Sequence, residues 1–350
     1  MVSIPAEERC SKRGVLSRPA GASSTVTRSM LKLLVVSDLH HAGPAEQARR
    51  GHEARAVRGA GLKLATNAFR RFVWLRDPLA HNHRLGRIVA ENPAPDLVVA
   101  NGDFTVDSAF VGVSDDAAME SSVSALGELR AAYGDRVHAT IGDHDLGKQS
   151  LFGGVGGPRL ASWARCRDGL GIRPTWRMEL GRHVLIGVAS TVVALPVFWP
   201  ELLAEERAGW EALRAVQMAE IRAAFASLRP GQRVVLFVHD PSALPFLWRD
   251  DQVRSRLGQV EHTVIGHLHT RAVLRTARML AGMPRVGFLG NTVRRYTAAL
   301  REARCWRDFK VKLCPSPTGV ELLKDGGYLR IGLDPHGDAP ACVEDVRLPW

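Results

Sequence analysis

The chain has 350 residues, 45% hydrophobic and 24% charged, with a net charge of +11 at pH 7. That is the composition of a globular protein with a large core, which excludes collagen-like, low-complexity and disulfide-scaffold classes. Its five cysteines are odd in number and form no C-x-x-C pair, so free thiols in a reducing, cytoplasmic compartment are expected.

Residues 1–29 are basic and rich in Ser, Gly and Pro, without an apolar run long enough for a secretory signal. They read as a disordered leader. Met30 stands directly before the first convincing strand and is the expected start of the folded domain, 30–350. Apolar runs bounded by turn signals then predict strands at Leu31–Ser37, Asp96–Ala100, Val137–Ile141, His183–Ser190, Arg233–Val238, Thr263–Ile265, Val286–Leu289 and Tyr328–Leu333. Between them, helices are expected at His83–Glu91, Ala117–Tyr133 and Glu201–Leu228. Such alternation argues for an α/β layered fold. The uncharged stretch Val184–Trp199 is too short to span a bilayer, which needs about 20 residues, and Pro196 breaks it. No transmembrane segment is expected.

Two segments exceed a minimal scaffold. The insertion at about 46–78 is basic, and within it Leu62, Ala65, Phe69, Phe72 and Val73 fall at helical spacing. Three roles fit it: a helix packing on the domain, a cap over substrate, or a membrane-surface helix. The segment at about 294–323 is arginine-rich and reads as an irregular rim or hairpin.

Five motifs of metal-ligating residues lie mostly where apolar runs end: Asp38-Leu39-His40, Gly102-Asp103, Gly142-Asp143-His144-Asp145, His239, and Gly266-His267-Leu268-His269. Ligands gather outside the carboxyl ends of strands in α/β sheets. Carboxylates and imidazoles suit borderline divalent metals, and paired cations clamp phosphoryl transfer in many phosphatases and nucleases. Strand alternation would send Asp38 and His40 to one side. Singly, each motif has a plain alternative. Asp145 reads better as a helix N-cap or turn former, His239 could be a satisfied core histidine, and His41 a solvated loop residue. The loop Gly153–Pro158 lacks the lysine of a P-loop and reads as a flexible wall. Asn291 and Arg294 fit a structural turn better than a substrate contact. Asp107 is a candidate partner for the His144 ring.

In this order, the set resembles the calcineurin-like metallophosphoesterase family, whose pattern is D-x-H, G-D, G-N-H-[DE], a distal H, and G-H-x-H. The resemblance runs from about Leu31 to Leu333. It implies a four-layer αββα sandwich, two mixed β-sheets flanked by helices, with a dinuclear site at one edge. It also implies that Asp38, His40 and His269 bind one metal, that His239, His267 and Asp143 bind the other, and that Asp103 bridges them. Asp143 stands where the family usually has asparagine, adding one negative charge to the site. His144 matches the residue that contacts phosphate and assists the leaving group.

The activity implied is hydrolysis of a small phosphomonoester or phosphodiester by a metal-bridging hydroxide, with two divalent ions among Mn, Fe, Zn, Ni or Co. A nuclease acting on DNA or RNA is the alternative, since the net positive charge would attract phosphate backbones. An inactive metal-binding scaffold is the second. No obligate protein partner is implied.

Overall fold

Continuous apolar strands need cover on both faces, and two stacked sheets provide it. The computed structural model describes residues 30–152, 154–287 and 291–350, so the expected leader lies outside the described residues. The first sheet has strand order β10-β9-β1-β2-β3, from β1 (Leu31–Val36), β2 (Leu97–Asn101), β3 (Val137–Thr140), β9 (Gly327–Leu333) and β10 (Cys342–Arg347). The second has the order β4-β5-β6-β7-β8, from β4 (Thr175–Leu180), β5 (His183–Val188), β6 (Arg233–Val238), β7 (Val260–Ile265) and β8 (Val311–Leu313). Both are mixed. In the first, β1, β2 and β3 run parallel, β9 pairs antiparallel with β1, and β10 pairs antiparallel with β9. In the second, only the β4–β5 pair is antiparallel.

Strand alternation explains how both faces become apolar. Leu33 and Val35 of β1, with Val235 and Phe237 of β6, meet between the sheets in one core cluster. Leu34 and Val36 point the other way, under the helices His83–Glu91 and Asp116–Tyr133. Val234, Leu236 and Val238 of β6 pack beneath the helix Arg207–Ala226 on the opposite side. The result is the expected four-layer αββα sandwich. Among the described residues, no helix is long and apolar enough to cross a membrane.

Several element predictions need correction. β4, β8 and β10 were not anticipated. The expected strand at Val286–Leu289 does not form at Val286 and Gly287, and its remainder lies outside the described residues. The helix expected at Glu201–Leu228 starts only at Arg207, after two short 3-10 turns. The segment 294–323 is not irregular throughout. Helix Asn291–Glu302 runs through its start, and β8 within it closes the edge of the second sheet. Arg294 thus sits on a helix, 3.4 Å from Glu201.

The insertion does form a helix, Ala60–Phe72, but its apolar stripe is not buried. Phe72 is 62% exposed and Leu62 39% exposed, while Thr66 and Arg70 turn inward, Arg70 held by Glu53. The helix therefore packs by its polar side.

Candidate metal centre

The seven expected ligands converge although residue 38 and residue 269 lie far apart in sequence. The ligand atoms of Asp38, His40 and His269 form one group, and those of Asp103, Asp143, His239 and His267 another, each with all its atoms within 4.8 Å of one another. His239 links them, its Nε2 lying 3.0 Å from Asp103 Oδ2 and 3.9 Å from Asp38 Oδ1. His269 Nε2 stands 3.4 Å from Asp38 Oδ1, and His267 Nδ1 stands 2.9 Å from Asp143 Oδ1.

The ligands are aimed by turns past the strand ends rather than by the strand pleat. β1 stops at Val36, and Asp38 and His40 both take left-handed backbone conformations, with φ of 53° and 43°. Asp103, His267 and His269 do the same at 58°, 60° and 58°. Residues other than glycine adopt this region at a cost of about 1–3 kcal/mol each and mostly at functional sites. Main-chain bonds hold the turns together, from Asp38 N to Gly102 O (3.0 Å), His40 N to Asp103 O (3.0 Å) and Gly266 N to His239 O (3.0 Å). Two glycines allow the close approach. A Cβ on Gly142 would fall 2.1 Å from Asp103 Oδ1, and one on Gly266 would fall 2.5 Å from Asp38 Oδ2.

Backbone carbonyls orient the imidazoles. His239 Nδ1 donates to Asn101 O (2.6 Å) and His40 Nδ1 to Thr105 O (3.2 Å), which turns both Nε2 atoms toward the site. His40 Nε2 then meets His269 Nε2 at 3.2 Å, two nitrogens pointed at common space. Asp103 Oδ2 and His239 Nε2 are buried and, although 3.0 Å apart, make no well-aligned hydrogen bond. Buried polar atoms without such a bond carry a penalty that a cation would remove. A carboxylate–imidazole set so arranged fits divalent metals.

Charge interactions run through the whole cluster. Burial pushes the His239 imidazole down, but Asp103 and Asp38 prevail and hold it well above its usual range. Burial likewise opposes ionisation of Asp143, yet His267 and Lys148 keep its carboxyl well below the usual range. Lys148 Nζ lies 3.0 Å from Asp143 Oδ2, and Arg295 Nη1 lies 4.0 Å away. The additional negative charge at position 143 is thus matched by cations that no sequence motif announced. Arg295 is itself braced by Glu201 at 3.4 Å.

His144 forms a third such group with His40 and Asp103, its ligand atom within 4.8 Å of theirs. Its Nδ1 donates to Val106 O at 3.0 Å, its ring meets His40 edge-on at 4.8 Å, and its main-chain N–H donates to Asp103 Oδ1 at 2.9 Å. Burial, then Lys148, holds its imidazole well below the usual range. Asp107 is not its partner. That carboxylate instead accepts from the N–H groups of Val111, Gly112 and Lys148.

Asp145 is a structural clamp, in line with its reading as a turn former. It accepts from Asp103 N (3.0 Å), Phe104 N (2.8 Å) and Gly142 N (2.8 Å), tying two ligand loops together. His41 is buried rather than solvated, 3.3 Å from Asn82. Gly156 and Gly157 of the glycine loop press against Phe110 and Glu201, behind the wall of the site rather than in it.

A cavity of about 550 Å³ opens over the centre, bordered by His40, His144, His267, His269 and Lys148. The insertion reaches it through Trp74, whose ring lies 4.8 Å from His269. Neither Trp74 nor Lys148 carried a local signal, because each acts through tertiary placement. A comparison with curated proteins returns no match. Residues 31–271 match the model of the family described as calcineurin-like phosphoesterase, and the chain belongs to that family.

Proposed function

We propose that this chain hydrolyses phosphate esters at a dinuclear centre. Asp38, His40 and His269 hold one divalent cation, Asp143, His239 and His267 hold the other, and Asp103 lies between them. The observation that carries the reading is the pair of adjoining ligand groups, whose carboxylate oxygens and imidazole nitrogens converge to within 4.8 Å in each group. Bound there, two cations supply Lewis-acid polarisation of phosphoryl oxygens and lower the pKa of water.

The chain's own groups do the rest. Lys148 and Arg295 neutralise Asp143 and add positive potential at the cavity edge. His144 presents Nε2 to the cavity as an acceptor while its ring is neutral. An anionic phosphate beside it favours protonation, after which Nε2–H can donate to the leaving oxygen as general acid. The carbonyl of Val106 fixes the ring for that transfer.

The nuclease reading draws on the net positive charge, to which the arginines of the insertion contribute. Three of these are engaged within the protein, Arg49 with Asp115, Arg50 with Asp77 and Arg70 with Glu53, so a small phosphoester is favoured over nucleic acid. Hydrolysis of para-nitrophenyl phosphate and its bis-ester by protein loaded with Mn²⁺, Co²⁺, Ni²⁺, Zn²⁺ or Fe²⁺ tests the proposal and separates monoesterase from diesterase. Activity abolished by chelation and restored by metal is the expected result. No turnover with any of these ions would leave only the inactive-scaffold reading.

A further inference from the structure

The cavity has two unlike halves. Its floor is the metal centre, while its wall carries Phe69, Trp74, Val273, Tyr296, Leu300 and Trp306. These come from the insertion, from helices Arg271–Met279 and Asn291–Glu302, and from the 3-10 turn after them. Leu300 and Trp306 belong to the buried core, so the apolar wall continues into the body of the protein. Its polar exceptions include Ser242 Oγ and Trp306 Nε1, both buried and unpartnered. Glu53, Arg70, Gln149, Ser150, Asp240 and Arg295 also line the cavity, but each is already engaged within the protein. Glu53 pairs with Arg70, Gln149 with Gly154 O, Ser150 with Phe152 O, Asp240 with Ser242 N and Arg295 with Glu201. That favours an apolar substrate body over a polyhydroxyl one.

The mouth continues the same character. Phe69 stacks towards Trp74 at 6.2 Å, and Leu62 and Phe72, on the same side of the insertion helix, are exposed. Exposed Leu322 adjoins them through a main-chain bond from its N–H to Val73 O at 3.2 Å. An apolar rim joined to an apolar wall and a phosphate-binding floor matches one kind of molecule along its length.

We infer that the substrate is an amphiphilic phosphoester, its phosphate on the metal centre and a long hydrocarbon chain against the Phe69–Trp74–Leu300–Trp306 wall. This rests on the phosphoesterase reading and narrows it. The chain must leave water along the apolar rim and lie in the cavity while the ester bond is cut.

The test is a series of linear alkyl phosphates from ethyl to decyl, each assayed below its micelle-forming concentration, with para-nitrophenyl phosphate as reference. Burial of each added methylene should lower KM by about two- to fourfold until the wall is filled. Ala299→Trp, which fills part of the cavity, should reduce the decyl-to-ethyl ratio of kcat/KM at least tenfold. A flat chain-length series in an enzyme that cleaves para-nitrophenyl phosphate would overturn the inference while sparing the phosphoesterase reading. If no ester is cleaved, that reading fails. Fluorescence titration with decylphosphonate against ethylphosphonate then decides chain recognition alone, tighter decyl binding supporting it and equal binding overturning it. Should Ala299→Trp not fold, the series on the native chain still decides.

Discussion

Asp145 binds nothing in the proposed chemistry, yet the centre depends on it. Its two oxygens accept three main-chain N–H bonds at 2.8–3.0 Å from Asp103, Phe104 and Gly142, in a fully buried position. Asp145→Ala strands three donors away from water. Each unsatisfied buried group costs about 1–3 kcal/mol, so the loss should reach roughly 3–6 kcal/mol once some relaxation is allowed. That is a large share of the ~5–15 kcal/mol of a typical domain. Asp145→Asn should lose less, about 1–3 kcal/mol, because its remaining oxygen can still accept two of the three bonds. Both variants should also bind metal more weakly than the native chain, although every proposed ligand is retained, because Asp103 and Asp143 are no longer held in register. Urea unfolding of metal-free protein reads the stability, and metal titration reads the affinity. An Asp145→Ala protein within about 1 kcal/mol of native stability and with native metal affinity would refute the clamp.

Three further outcomes follow from the same geometry. Gly142→Ala should abolish metal binding although it replaces no ligand, because its Cβ would fall 2.1 Å from Asp103 Oδ1; normal metal content in a folded variant would contradict this. His144→Asn should lower kcat by about 10²–10⁴ on alkyl phosphates and less on para-nitrophenyl phosphate, whose leaving group needs no proton; equal losses on both would remove the general-acid role. His52, buried and near Arg70 and Arg55, has its imidazole pushed down to about 4. The unfolded chain then takes up a proton below about pH 6.5 while the folded chain does not, so this residue's contribution is full above that pH and is lost as pH falls towards 4. The loss is about 2 kcal/mol by pH 5. His52→Phe, which keeps a ring 5.6 Å from Phe110, should flatten that slope in urea unfolding at pH 7 and pH 5, and an unchanged slope would contradict it.

Most of the sandwich was legible in the sequence because the inner strands are buried twice. Leu31–Val36 and Arg233–Val238 send alternate side chains to two different cores, and that demand writes an unbroken apolar run. The strands that escaped detection lack it. β10 carries Glu344 and Asp345 outward at the sheet edge, β8 is only three residues long, and β4 interleaves Arg177 and Glu179 with its apolar residues. The ligands were legible through their spacing and order. Their supports were not. Lys148 reaches Asp143, Val106 lends His144 a carbonyl, and Trp74 lies against His269 only once the chain is folded. The insertion misled in an instructive way. Its helical stripe is real, but the inward contacts fall at Thr66 and Arg70 along one flank of it, so periodicity located the helix and not its buried side.

The central claim is best tested by anomalous diffraction from crystals grown with Mn²⁺. Two peaks about 3.5–4 Å apart, with Asp103 between them and Asp38 and His239 on opposite sides, are the predicted result. A single peak, or none at these residues, would contradict the account.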